Sequence, residues 1–175
     1  MGNAVAVSTA LPEFRVRHAV PGNAVPLCEI LNIIIGIGGT TALEFPLSLA
    51  EFRCDFLEGE HLLLCFVAED VLTSRQLAFQ SLRRHPELPV DWADIATFVS
   101  HDFNTRGIGT ALFARTRIWA GDSDLAAINA AIRADNHGGL AYYEKVGFRN
   151  YQIAKGIPLR DGTPVDRILK CFRAK

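Results

Sequence analysis

The chain has 175 residues, 49% hydrophobic and 21% charged, with a formal net charge of −1. That length and apolar content suit one globular domain with a sizeable core, 1–175, in which 1–12 are expected to form a flexible N-terminus. The balanced charge supplies no field for nucleic acid or an anionic membrane surface, and the short Arg83-Arg84-His85 cluster is answered by Glu87, Asp91 and Asp94.

In chain order, Phe14 to Ala19 alternates as a first strand. Pro21-Gly22-Asn23 turns the chain into a helix over roughly Val25 to Ile35, which Gly36 to Gly39 ends. Thr40 to Pro46 is irregular and extended before its proline. Ser48 caps a second helix, Glu51 completes a capping box, and Leu49, Phe52 and Phe56 keep helical spacing. Leu62 to Ala68 is a continuous apolar run, as in a central strand, and Arg75 to Leu82 is its antiparallel partner. Two prolines make His85 to Pro89 a loop. Ile95 to Val99 is a buried strand, and the residues after Ile108 form an amphipathic helix. Leu125 to Ile132 is a further buried strand, and a short helix, Leu140 to Val146, is closed by Gly147. Phe148 to Ile157 and Val165 to Phe172 form a last hairpin. This order defines an α/β domain around one mixed sheet.

Cys28, Cys54, Cys65 and Cys171 are scattered without a CxxC pair, so zinc spacing is absent and free thiols in a reducing compartment are expected. Residues 1–13 lack a basic segment followed by an apolar one, and Leu27 to Ile37 is too short to span a bilayer and contains Glu29. The expectation is a cytoplasmic protein without membrane attachment and without a metal.

The stretch most informative about chemistry is Phe98 to Leu112, a strand end, a polar turn and a helix start. Gly107 and Gly109 carry no Cβ, and the helix opens with amide groups that have no partner within it. Such a turn suits an anion, most naturally a phosphate. Taken alone, it is equally well explained by tight packing at a strand–helix corner. Neither G-x-x-x-x-G-K-[ST] nor G-x-G-x-x-G is present.

Asn104-x-x-Gly107-x-Gly109, followed by Asn136-x6-Tyr143-Glu144-Lys145-x-Gly147-Phe148, resembles the two signatures of the GCN5-related N-acetyltransferase (GNAT) superfamily. Thr97 to His101, Thr40-Thr41-Ala42 and Val165-Asp166 are similar to its phosphinothricin and methionine-sulfoximine N-acetyltransferase branch. The resemblance covers nearly the whole chain from Phe14. It implies the GNAT fold: a mixed, mostly antiparallel sheet splayed at its central strands, with flanking helices. It implies acetyl-CoA as co-substrate, with the pyrophosphate on Arg106, Gly107, Ile108, Gly109 and Thr110 and a further contact from Asn104. Thr97, Phe98 and Val99 would line the pantetheine arm, and Asn136 and Tyr143 would also contact the cofactor.

The implied reaction is direct acetyl transfer, in a ternary complex, to the primary amine of a small molecule such as an amino acid or analogue. Tyr143 stands where the family places its general acid; the alternative is a tyrosine packed on the sheet. Asp94 occupies the branch's glutamate position, five residues before Val99, and is the candidate base; the alternative is a solvated strand-end aspartate. Thr41, Glu44, Phe45 and Trp92 are the candidate acceptor pocket. Two departures stand out: Asn104 replaces Gln or Arg, and the branch's Arg-x-Ala-Tyr element is missing from 85–92. The resemblance also implies a homodimer, formed with the help of the C-terminal hairpin, apolar at Ile168, Leu169, Cys171 and Phe172. The readings from other classes are an acyl-CoA sensor without transfer and an interaction domain on the same fold.

Overall fold

The apolar run at Leu62 becomes the heart of β2 (Leu62–Asp70), flanked by β1 (Phe14–His18) and β3 (Gln76–Arg83). The computed structural model describes residues 13–103 and 107–175. With β4 (Trp92–Val99), β5 (Ala127–Arg133), β6 (Arg149–Pro158) and β7 (Pro164–Arg173), these strands form one sheet in the order β1-β2-β3-β4-β5-β7-β6. Every neighbouring pair is antiparallel except β4 and β5. This is the GNAT arrangement, mixed and mostly antiparallel, and helices cover both faces.

On one face lie α1 (Ala24–Ile37) and α2 (Leu49–Arg53), the latter continued by a π-helical turn over Cys54–Glu58. Leu27, Leu31 and Ile35 of α1 recur at helical spacing and pack with Phe52, Phe56, Phe79 and Phe98. Burying each such side chain contributes about 2 kcal/mol. On the other face, α3 (Ile108–Gly121) and α4 (His137–Lys145) press Ile108, Leu112, Phe113 and Tyr143 onto Ile95, Ile128 and Phe148.

The capping box forms: the Ser48 amide donates to Glu51 Oε2 at 2.8 Å, and Glu51 N donates back to Ser48 Oγ at 3.3 Å. Leu49, in the first turn, is exposed, whereas Phe52 and Phe56 are buried as their spacing requires. α1 outruns its expected end by two residues, because Gly38, at φ 77°, is the first position to leave the helix. All four cysteines are free: Cys28 and Cys65 are buried, Cys171 is half-buried and Cys54 is exposed. Among the described residues, no helix is long and apolar enough to cross a membrane.

The feature that positions the site is the junction of β4 and β5. They pair only over Trp92–Asp94 and Ala127–Asn129. Beyond that point β4 stays with β3 as far as Val99, and β5 stays with β7 as far as Arg133. The sheet therefore splits into a V that opens toward the start of α3.

Candidate active site

The two glycines at the head of α3 are required for different reasons. Gly107 precedes the helix at φ 75°, a left-handed conformation that favours glycine, and among the described residues nothing lies within 4 Å of where its Cβ would be. Gly109 is a packing position: a Cβ there would meet Tyr142 Cε2 at 3.0 Å, and the Tyr142 hydroxyl donates to the Gly109 carbonyl at 2.8 Å. Ala111 N is bonded to the Gly107 carbonyl, so the amides of Ile108, Gly109 and Thr110 precede the first turn's ladder. Gly107 and Thr110 are exposed, whereas Ile108 is buried. Asn104 and Arg106 lie outside the described residues.

Beneath this corner runs a chain of polar groups. Thr116 Oγ1 donates to Gln80 Oε1 at 2.6 Å, and Gln80 Nε2 donates to Thr97 Oγ1 at 2.8 Å. Thr97 Oγ1 and Tyr143 Oη are 3.1 Å apart. Tyr143 is only 7% exposed; burial pushes its phenol strongly up, and the neighbouring Tyr142 and Asp94 add to the shift. Burial likewise pushes Tyr142 up to about 12. Both phenols therefore keep their protons at neutral pH. Gln80 belongs to no motif, and its only signal in the sequence is a glutamine standing between Leu77-Ala78-Phe79 and Ser81-Leu82 in a buried strand.

Asp94 sits on the opposite face of β4. Its Oδ1 accepts from Asn129 Nδ2 at 2.7 Å, and Asn129 Oδ1 accepts from the Tyr151 hydroxyl at 2.7 Å. β4 starts three residues earlier than its apolar run suggests, so Asp94 lies inside the strand, paired across the ladder with Arg83. Burial raises its carboxyl, opposed by the Asn129 hydrogen bond and by the charges of Arg83 and His85. Asp94 and Tyr143 thus flank the V from its two faces. No local signal could have found Asn129 or Tyr151, because both reach Asp94 through long-range register.

Asn136 caps α4, accepting from Gly139 N at 2.8 Å, and its Nδ2 donates to the Thr40 carbonyl at 2.7 Å. Its amide holds the helix to the α1–α2 connection. Thr41 is buried and accepts from Leu43 N at 3.0 Å. Glu44 accepts from Arg160 N at 2.8 Å, and the Arg160 guanidinium lies 4.5 Å over the exposed Phe45 ring. Glu44 and Phe45 thus lie beside the β6–β7 turn, with Thr41 earlier in the same connection. Trp92 does not join them: it stands at the closed end of the V, against Tyr151 (5.6 Å between ring centroids) and Arg173. Six residues of β5, about 20 Å, separate that end from the other.

Comparison with known proteins agrees with this fold. The model of the acetyltransferase (GNAT) family matches residues 40–148, and the chain belongs to that family; this membership makes it an N-acetyltransferase. Among solved structures, a provisionally assigned phosphinothricin N-acetyltransferase superposes with a TM-score of 0.81 at 21% identity, over 93% of this chain and 99% of that one. An N-acetyltransferase from Staphylococcus aureus Mu50 gives 0.81 at 16% identity, over 93% and 99%. A provisionally assigned acetyltransferase from Salmonella typhimurium, solved with its cofactor acetyl-CoA, gives 0.80 at 15% identity, over 93% and 95%. At these identities the likeness is one of fold. Among curated proteins, none matches the chain.

Proposed function

We propose that this chain transfers the acetyl group of acetyl-CoA to the primary amine of a small molecule of the amino-acid or amino-acid-analogue class, by direct transfer in a ternary complex. One observation carries the reading: β4 and β5 part immediately beyond Asp94, with Tyr143 Oη on one face of the opening and the Asp94 carboxyl on the other.

The residues present suit acetyl-CoA. On the β5 side, Ile95 to Val99 have no ladder partner among the described residues, so their backbone groups are free to meet an amide-bearing arm. The amides of Ile108, Gly109 and Thr110, with the open space at Gly107, suit a pyrophosphate. Thr97, Phe98 and Val99 line the arm, and Asn136, which holds α4 in place, borders it. When bound, acetyl-CoA supplies an activated thioester.

Asp94 accepts a proton from the acceptor ammonium, directly or through water, leaving a neutral amine whose lone pair can attack the acyl carbon. Its raised proton affinity makes it a better base than an exposed aspartate, and Asn129 fixes the carboxylate's orientation. Tyr143 keeps its phenolic proton and is placed by Thr97 to give it to the departing thiolate. The nitrogen loses two protons: one leaves through Asp94 to solvent, and the second, shed as the C–N bond forms, restores the Tyr143 phenol, so that one amide bond forms, one thioester bond breaks, CoA departs as the thiol and one proton is released in all. Thr41, Glu44 and Phe45 border the acceptor side. A cytoplasmic homodimer completes the reading, with the exposed Tyr151, Ile153 and Ile157 of β6 on the shared face.

The test is thiol release from acetyl-CoA against amino acids, amino-acid analogues and polyamines. Amine-dependent release with a matching N-acetyl product is the expected result. Coenzyme binding without release for any amine would make the chain a sensor.

A further inference from the structure

Arg167, on β7, is only 9% exposed, and among the described residues its buried Nη1 has no hydrogen-bond partner. Among the described residues, Arg167 forms no ion pair. Burying an unpaired guanidinium nitrogen costs stability, so a structural role alone does not account for it. Directly opposite across the β5–β7 ladder is Arg133, 8% exposed, whose Nε and Nη2 grip the Asp135 carboxylate at 2.9 and 2.5 Å. Two neighbouring guanidinium groups thus stand together with one of them free.

Their position ties them to the acceptor side of the V. Along β5, Asn129, Ala131 and Arg133 share the face that carries Asp94's partner, since side chains alternate. Ala131, between the two, is exposed, so that face is open from Asp94 toward the arginines. The connection from α1 to α2 passes beside them. Its Glu44 and the nearby Asp135 act on Arg167 electrostatically without pairing with it, and Glu44 is bonded instead to the Arg160 amide. Two exposed hydrogen bonds, Asn136 to Thr40 and Arg160 to Glu44, hold this connection in place.

We infer that Arg167, with Arg133 beside it, is the subsite that receives a carboxylate on the acceptor amine. A guanidinium presents its donors in a planar fork that matches a carboxylate, and burial strengthens the pairing. The inference rests on the transferase reading: Arg167 selects amines that carry an acid group, and Asp94 takes the proton at the other end of the same opening. The subsite also supplies an anchor in a chain that lacks the Arg-x-Ala-Tyr element before β4.

The experiment is calorimetric titration of the full chain, in the presence of CoA, with leucine, methionine and 4-aminobutyrate. Each is run beside its descarboxy amine: isoamylamine, 3-(methylthio)propylamine and propylamine. The native chain is expected to bind at least one acid about tenfold or more tightly than its descarboxy partner. R167M is expected to bring that ratio close to one, and R167K to restore it in part. Thermal melting gives the second readout: R167M removes an unpaired buried charge and is expected to melt no lower than the native chain. Three results would overturn the inference: no acid preferred by the native chain, the preference intact in R167M, or the loss falling on CoA affinity, which would make the ligand a coenzyme phosphate. Thiol release is scored separately, so a chain that binds acids selectively yet transfers nothing fails the transferase reading and not this one.

Discussion

Tyr143 and Asp94 are both held where burial raises their proton affinity, and the consequences differ in sign. For Tyr143 the shift favours the neutral phenol, the form a general acid needs. Y143F is expected to lower turnover by about 10²-fold or more, with acetyl-CoA affinity little changed. Steady-state kinetics with a coenzyme titration reads both. For Asp94 the shift opposes the carboxylate, the form a base needs. A folded-state value above the unfolded one means the folded chain holds more protons, so this group's contribution to stability falls as pH rises through the raised value. D94N is therefore expected to melt at or above the native temperature at pH 8. It should lose about 10²-fold in turnover, and its residual rate should lack the native rise with pH. A lower melting temperature with unchanged turnover would make Asp94 structural. Both positions could be named from the sequence because each sits at a fixed offset within a motif. Gln80, Asn129 and Tyr151 could not, since what defines them is the strand opposite.

At the scale of elements, the corner between β4 and α3 was legible from its two glycines, but not the division of labour between them. Gly107 supplies a backbone angle and Gly109 makes room for a ring. G107A is expected to destabilise the chain by about 1–2 kcal/mol through left-handed strain and to weaken acetyl-CoA binding. G109A is expected to disturb the Tyr142 contact and with it the Gln80–Thr97 link, so turnover falls beyond the loss in coenzyme affinity. Differential melting and coenzyme titration separate the two variants. Strand and helix types followed from periodicity and from the Ser48 cap. The start of β4 did not, because Trp92 and Asp94 interrupt the apolar pattern with residues that face the V. The separation of Trp92 from Thr41, Glu44 and Phe45 depends on the parallel register of β4 and β5, which composition cannot encode.

Across the whole molecule, the sheet is stitched at its outer edge by charge and opened at its centre by a lost pairing. Glu69 of β2 is buried and accepts from Arg17 and from Arg15, the latter at 2.8 Å through Nε. The Arg17 hydrogen bond, aided by Arg15, holds its carboxyl below the usual range. Its stabilising contribution is therefore complete above the ordinary glutamate value and is lost as pH falls through the lowered one. E69Q is expected to melt lower than the native chain at pH 7, with the gap closing toward pH 3, as followed by circular dichroism. At the centre, acetyl-CoA at 100 times its dissociation constant should add about 2.7 kcal/mol of stability if it binds only the folded chain. The direct measurement is a crystal structure of the chain with CoA. The pantetheine arm is expected between β4 and β5, with the pyrophosphate on Gly107 to Thr110 and the sulfur beside Tyr143 Oη. Coenzyme seated anywhere other than this opening would contradict the site.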